Sequence, residues 1–193
     1  MQFHKDREKV LIIDFGSQVT KLIGRNIREL GVYSEIITPK QLKNFKNFEK
    51  IKGLILSGGP SSVASKKFQT ISKQIFEKKI PILGICYGLQ LIAKLFGGKI
   101  RPSNTRREFG RAYLIKKRFS LLTKNFIKKK NLVWMSHEDA VVKLPKNFKT
   151  IASTKSSKLT IIENSKKKFM VCSFILKLLI RKTENKFLKI SFF

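Results

Sequence analysis

Short apolar runs alternate with amphipathic stretches through the first half of the chain. Residues 10–14, Val-Leu-Ile-Ile-Asp, read as a buried strand. Residues 17–30 follow as a helix, with Val19, Leu22, Ile23, Ile27 and Leu30 at helical spacing and Gly31 to stop it. Residues 33–37 and 53–57 read as the second and third strands, the third running into Gly58-Gly59-Pro60. The pattern predicts a helix over 68–78, then a fourth strand over 81–85 that runs straight into Cys86. A helix over 88–96, closed by Gly97-Gly98, comes next. Strands alternating with helices imply parallel strands and right-handed crossovers. The fold class is therefore α/β: an open, mostly parallel twisted sheet flanked by helices. The second half is less regular and suggests a smaller antiparallel region, with strands near 112–115, 132–135, 150–152 and 160–162.

Open sheets of this kind place their sites at the carboxyl ends of the strands. Gly58-Gly59-Pro60 and Cys86 both fall there. Gly84-Ile85-Cys86-Tyr87-Gly88 is a G-x-C-x-G pentapeptide between a strand and a helix, the cysteine counterpart of a nucleophile elbow. Glycines two residues either side leave room for neighbouring backbone in a tight turn. The sulfur then sits at a helix N-terminus, whose positive dipole end favours thiolate. The Tyr87 N–H would point to where an oxyanion forms. A buried cysteine is commonly inert, so its place between strand and helix gives Cys86 its weight.

Composition narrows the setting. The 193 residues suit one domain, and 42% hydrophobic residues suffice for a core. The N-terminus is polar, and the apolar run at 10–13 is too short for a signal core or a membrane span. Two cysteines make neither a disulfide framework nor a zinc pattern, which fits a reducing cytoplasm. The net charge of +30 would suit a polyanion partner. Its even spread, the 16 phenylalanines and the lack of any nucleic-acid-binding motif fit codon bias in an AT-rich genome better, so nucleic acid and membrane partners are disfavoured.

Four stretches together carry a resemblance. Residues 10–18 (Val-Leu-Ile-Ile-Asp-Phe-Gly-Ser-Gln), 56–60 (Leu-Ser-Gly-Gly-Pro), 84–90 (Gly-Ile-Cys-Tyr-Gly-Leu-Gln) and 134–137 (Trp-Met-Ser-His) resemble the class I glutamine amidotransferase domain of GMP synthetase. Asp14-Phe-Gly-Ser-Gln18, Arg107-Glu-Phe-Gly110 and Trp134-Met-Ser-His137 point to that branch. The resemblance implies a flavodoxin-like arrangement and hydrolysis of glutamine, with ammonia passed to a synthetase that converts XMP to GMP. Cys86 would attack the side-chain amide carbon and form a glutamyl thioester, which water releases as glutamate. Gly59 and Tyr87 would offer backbone N–H groups to the oxyanion. Gln90 would hold the substrate, with Ser136 and His137 as further candidates; from residue type alone, Gln90 reads as a surface helix residue and His137 equally as structural. No cofactor or metal is implied for this domain. ATP and magnesium belong to the synthetase partner, an ATP-pyrophosphatase domain or subunit, whose Ser-Gly-Gly-Val-Asp-Ser loop has no counterpart in the sequence.

The resemblance breaks after Phe169. The family completes its site with a histidine base and an orienting glutamate in a His-Pro-Glu tripeptide. Here Ile175 and Lys177 take those places. His4, in the tail before the first strand, and His137 are the two histidines, and neither is the expected base. Removing one T from family-like codons turns F-Y-G-V-Q-F-H-P-E-V-T-H into Phe-Met-Val-Cys-Ser-Phe-Ile-Leu-Lys-Leu-Leu-Ile, which is residues 169–180. The expectation is a frameshifted tail over 170–193 behind an amidotransferase domain over 10–169 and an N-terminal tail over 1–9. Residues 171–174 are apolar enough to fill the slot of the lost strand, and a frayed terminus is expected beyond. Cys172 has no role in this reading. Glutamine hydrolysis should be impaired. The alternative is a non-catalytic chain that binds a synthetase partner or, through its charge, a polyanion.

Overall fold

The computed structural model describes residues 7–102, 108–120, 123, 131–137 and 139–175, with backbone alone at 108, 137 and 175. The parallel half begins with β1 (Lys9–Ile13), α1 (Thr20–Glu29), β2 (Ser34–Ile37), α2 (Pro39–Lys43) and β3 (Ile51–Leu56). A 3-10 turn (Lys73–Glu77), β4 (Ile82–Ile85) and α3 (Tyr87–Leu95) follow. The remainder is strands: β5 (Lys99–Arg101), β6 (Glu108–Lys116), β7 (Asn131–His137), β8 (Ala140–Lys143), β9 (Lys149–Ser153), β10 (Ile161–Asn164), β11 (Phe169–Cys172) and β12 (Phe174–Ile175).

Ten strands form one sheet in the order β12-β7-β6-β9-β10-β11-β4-β3-β1-β2. The β2-β1-β3-β4-β11 half is parallel. From β11 outward the pairings are antiparallel, so the antiparallel region continues the same sheet. β5 and β8 pair separately as a small two-stranded sheet.

β1 is apolar at nearly every position because both its faces are covered. Leu11 and Ile13 face one way, with Leu54, Leu56 and Val171, onto Leu89 and Ile92 of α3. Val10 and Ile12 face the other way, with Ile55, Leu83 and Met170, onto Ile23 and Ile27 of α1. This alternation is the two-residue period of a strand.

Two expectations need correction. The predicted helix over 68–78 is a 3-10 turn over Lys73–Glu77. Ser72 stays extended and its hydroxyl takes the Gln74 N–H, which starts the helical turn late, while Lys79 adopts φ 55° just beyond it. The helix expected from residue 17 starts at Thr20, because Ser17 to Thr20 form a turn closed by the Ser17 carbonyl and hydroxyl. The expected strand slot is filled: β11 is fully buried and lies between β4 and β10. The proposed tail beyond 175, including Lys177, lies outside the described residues, as do His4 and Arg107.

Candidate active site

Three loops converge at the carboxyl ends of β1, β3 and β4. The first is tied by Asp14, whose Oδ1 accepts from the Gly16 N–H at 2.9 Å and the Thr20 hydroxyl at 2.7 Å. It is joined to the second where the Phe15 N–H donates to Ser57 Oγ at 3.0 Å. A Cβ at Gly59 would stand 2.5 Å from the Phe15 carbonyl oxygen, so only glycine permits this approach.

The third loop is Cys86 itself. Its backbone takes φ 47° and ψ −101°, a strained conformation for a residue with a side chain. The surroundings hold it there. The Cys86 N–H donates to the Cys172 carbonyl at 2.8 Å and the Gly88 N–H to the Ser57 carbonyl at 3.2 Å. A Cβ at Gly84 would lie 2.7 Å from Val171 Cγ1, and one at Gly88 would lie 2.4 Å from the Leu56 carbonyl oxygen. These contacts are the physical reason for G-x-C-x-G at this turn.

Gly59, Cys86, Tyr87, Gln90 and Ser136, all singled out from sequence, line one cleft of about 240 Å³. Tyr87 opens α3, so its N–H has no acceptor within the helix and remains available to the cleft. Its ring is fixed by the hydroxyl's bond to the Gln69 carbonyl at 2.6 Å and by Phe15, 5.0 Å away between centroids. Gln90 is not on the surface. It is 6% exposed and its Nε2 donates to the Asp139 carbonyl at 2.9 Å. His137 neighbours Ser136 on β7, but its side chain lies outside what is described.

Asp139, Phe109 and Ser62 also line the cleft, and sequence reasoning assigned them nothing. Asp139 is buried and its carboxylate accepts from the Ser62 hydroxyl. The signal in the sequence is the run Trp134-Met-Ser-His-Glu-Asp139, which ends on it.

Cys86 is only 8% exposed, and burial pushes its thiol up to about 12. The positive end of α3, which begins at Tyr87, opposes that shift. The cleft's described side chains include no histidine. Ile175 is placed on β12, its backbone paired with Trp134 of β7.

The family model of class-I glutamine amidotransferases matches residues 11–174. The chain belongs to the class-I glutamine amidotransferases. The match ends one residue before Ile175. Two curated relatives are named GMP synthase [glutamine-hydrolyzing]. The one from Brachyspira hyodysenteriae is 46% identical over 167 residues, covering 86% of this chain and 32% of the relative. The one from Helicobacter pylori is 46% identical over 159 residues, covering 81% and 30%. The chain thus spans about a third of the length of these relatives. Among solved structures, a candidate GMP synthase subunit from Thermoplasma acidophilum superposes with a TM-score of 0.77 at 22% identity, covering 98% of this amidotransferase chain and 94% of its own. That likeness concerns the fold. Among the described residues, no helix is long and apolar enough to cross a membrane.

Proposed function

We propose that this amidotransferase binds glutamine in the Cys86 cleft and is the ammonia-supplying part of a GMP synthase, its partner being a cytoplasmic synthetase domain or subunit. The observation that carries the reading is the strained Cys86 turn opening on a cleft lined by Gly59, Tyr87 and Gln90. Cys86 Sγ attacks the amide carbon of glutamine. The N–H groups of Gly59 and Tyr87 take the charge that develops on the amide oxygen. Gln90 is held by Asp139 and shapes the floor on which the substrate rests. Ser136 and His137 are proposed to border the substrate. Departure of ammonia leaves a glutamyl thioester, which water releases as glutamate. No cofactor takes part in these steps.

Two groups that this chemistry uses are replaced in this chain. Ile175 cannot take the Cys86 proton or return one to the leaving amine, and Lys177 brings a like charge where a carboxylate would steady a histidinium. With the thiol pushed up to about 12 by burial, hydrolysis is proposed to run several orders of magnitude below that of a complete site. Glutamine binding and contact with the synthetase would persist. A frameshift after Phe169 is proposed as the origin of the replacement. A gene without a run of T at that codon, or without His-Pro-Glu in the alternative frame beyond it, removes that origin.

The test is labelling with a glutamine analogue that carries a diazoketone in place of the amide, followed by peptide mapping. Alkylation at Cys86 that free glutamine competes away is expected. Labelling that ignores glutamine, or falls elsewhere, defeats the reading.

A further inference from the structure

Cys86 and Cys172 lie side by side at the carboxyl ends of β4 and β11. Ile85 pairs with Cys172 in parallel register, and the next N–H, that of Cys86, donates to the Cys172 carbonyl at 2.8 Å. That bond bounds the distance between the two Cα atoms. With N–Cα near 1.46 Å and Cα to its own carbonyl oxygen near 2.4 Å, the separation is at most about 6.7 Å. Protein disulfides span roughly 4.4–6.8 Å between Cα atoms. Both side chains enter the same core cluster, on the α1 face of the sheet with Ile85 and Met170. Both thiols are free.

Their access differs. Cys86 lines the cleft, whereas Cys172 is fully covered. A reagent in the cleft meets Cys86 first and finds Cys172 behind it. The family stretch matched to residues 169–177 carries valine at the position of Cys172, so the second thiol belongs to this chain's own sequence.

We propose that Cys86 and Cys172 form a dithiol site that a peroxide entering the cleft converts to an intramolecular disulfide. The peroxide transfers one oxygen to the Cys86 sulfur: an S–O bond forms, the O–O bond breaks, and water or an alcohol leaves with the thiol proton. The Cys172 sulfur then attacks that of Cys86. The S–S bond forms, the S–O bond breaks, and the hydroxyl departs as water with the Cys172 proton. Two thiols lose two electrons and one peroxide gains them. A small dithiol reductant reverses the change by attacking Cys86 from the cleft. Burial and the neighbouring Cys86 hold the Cys172 thiol well above its ordinary range, so its attack on the oxidised Cys86 sulfur is the slow step. Once closed, the bond removes the only sulfur that the cleft presents among its described residues.

The site stands on backbone geometry; only its effect on glutamine chemistry rests on the proposed function. The test treats the reduced full chain with hydrogen peroxide, blocks remaining thiols with maleimide in denaturant, and measures intact mass and peptides. Expected are a monomer lighter by two hydrogens, no maleimide on either cysteine, a peptide joining Cys86 to Cys172, and recovery of both thiols with dithiothreitol. Cys172→Val keeps an apolar side chain in β11 and should instead gain oxygen at Cys86. Oxygen added to Cys86 of the unsubstituted chain while Cys172 still takes maleimide, or a cross-link only between two chains, overturns the proposal. The diazoketone analogue separates the two readings. If it fails on reduced Cys86 while the disulfide forms, the glutaminase reading falls alone. If it labels reduced and peroxide-treated chains alike and no cross-link forms, the dithiol reading falls alone.

Discussion

Gln90 Nε2 donates to the Asp139 carbonyl oxygen at 2.9 Å, which ties α3 to the segment after β7 across the floor of the cleft. Gln90 is buried, so replacing it with leucine leaves a buried carbonyl without this donor, a loss of about 1–3 kcal/mol. Gln90→Leu should melt earlier and take the diazoketone label more slowly. Thermal melts and labelling rates, compared at a temperature where both proteins are folded, check both effects.

Backbone strain at Cys86 makes an inverted prediction about glycine. Ordinarily alanine is the more stabilising of the two. At φ 47° the order should reverse, with Cys86→Gly more stable than Cys86→Ala by about 1 kcal/mol. Denaturant melts of the two variants decide it, and equal midpoints would mean the turn is unstrained.

Gly88 has no such freedom. Alanine there would place its Cβ 2.4 Å from the Leu56 carbonyl oxygen and 2.8 Å from Leu56 Cβ, both held in the central sheet. Gly88→Ala should cost about 3 kcal/mol. For a chain of this size that is a fall in Tm on the order of 6–12 °C.

The Cys86 thiol also sets a pH dependence. Burial raises it from 9.0 to about 12 in the folded chain. Below pH 9 the thiol is protonated whether folded or not, so its contribution to stability is fully present. As pH rises from 9 toward 12 the unfolded chain sheds the proton first, and stability falls. Cys86→Ser should flatten part of that decline in denaturant melts across the alkaline range. Alkylation of the folded chain should accelerate with pH over the same window without levelling off.

Restoring the tripeptide tests the catalytic account directly. A chain carrying Ile175→His, Leu176→Pro and Lys177→Glu should release glutamate about 10²–10⁴-fold faster than the starting chain, the usual contribution of a positioned acid–base group. Glutamate release measured by a coupled assay would show it, with Cys86→Ala in the same background as the control.

The elements that could be read from residues alone are those whose chemistry is local. β1, β3 and β4 are continuous apolar runs because the sheet is covered on both faces. The Cys86 turn announces itself through Gly84 and Gly88. β5 and β8 are not legible because each is only three or four residues long, and they persist by pairing with each other. α2 was missed although Thr38, Pro39 and Gln41 form a capping box with proline at the first turn. In the cleft, Asp139 meets Gln90 through a backbone carbonyl, and no residue type betrays a carbonyl. The burial of Cys86 depends on Cys172, Met135 and Phe174 packing into the same cluster, which the pentapeptide cannot report.

The position of β11 bears on how the chain is made. Residues 169–172 form the strand that joins the parallel half to the antiparallel half, yet they leave the ribosome after nearly everything they join. Until then β4 has an open flank, and β10 waits for the same partner. A nascent chain therefore carries an unpaired sheet edge from the emergence of β4 until β11 follows it, the kind of edge that recruits strands from other molecules. The Cys86 turn is completed at the same moment, because its N–H finds its acceptor only when Cys172 arrives.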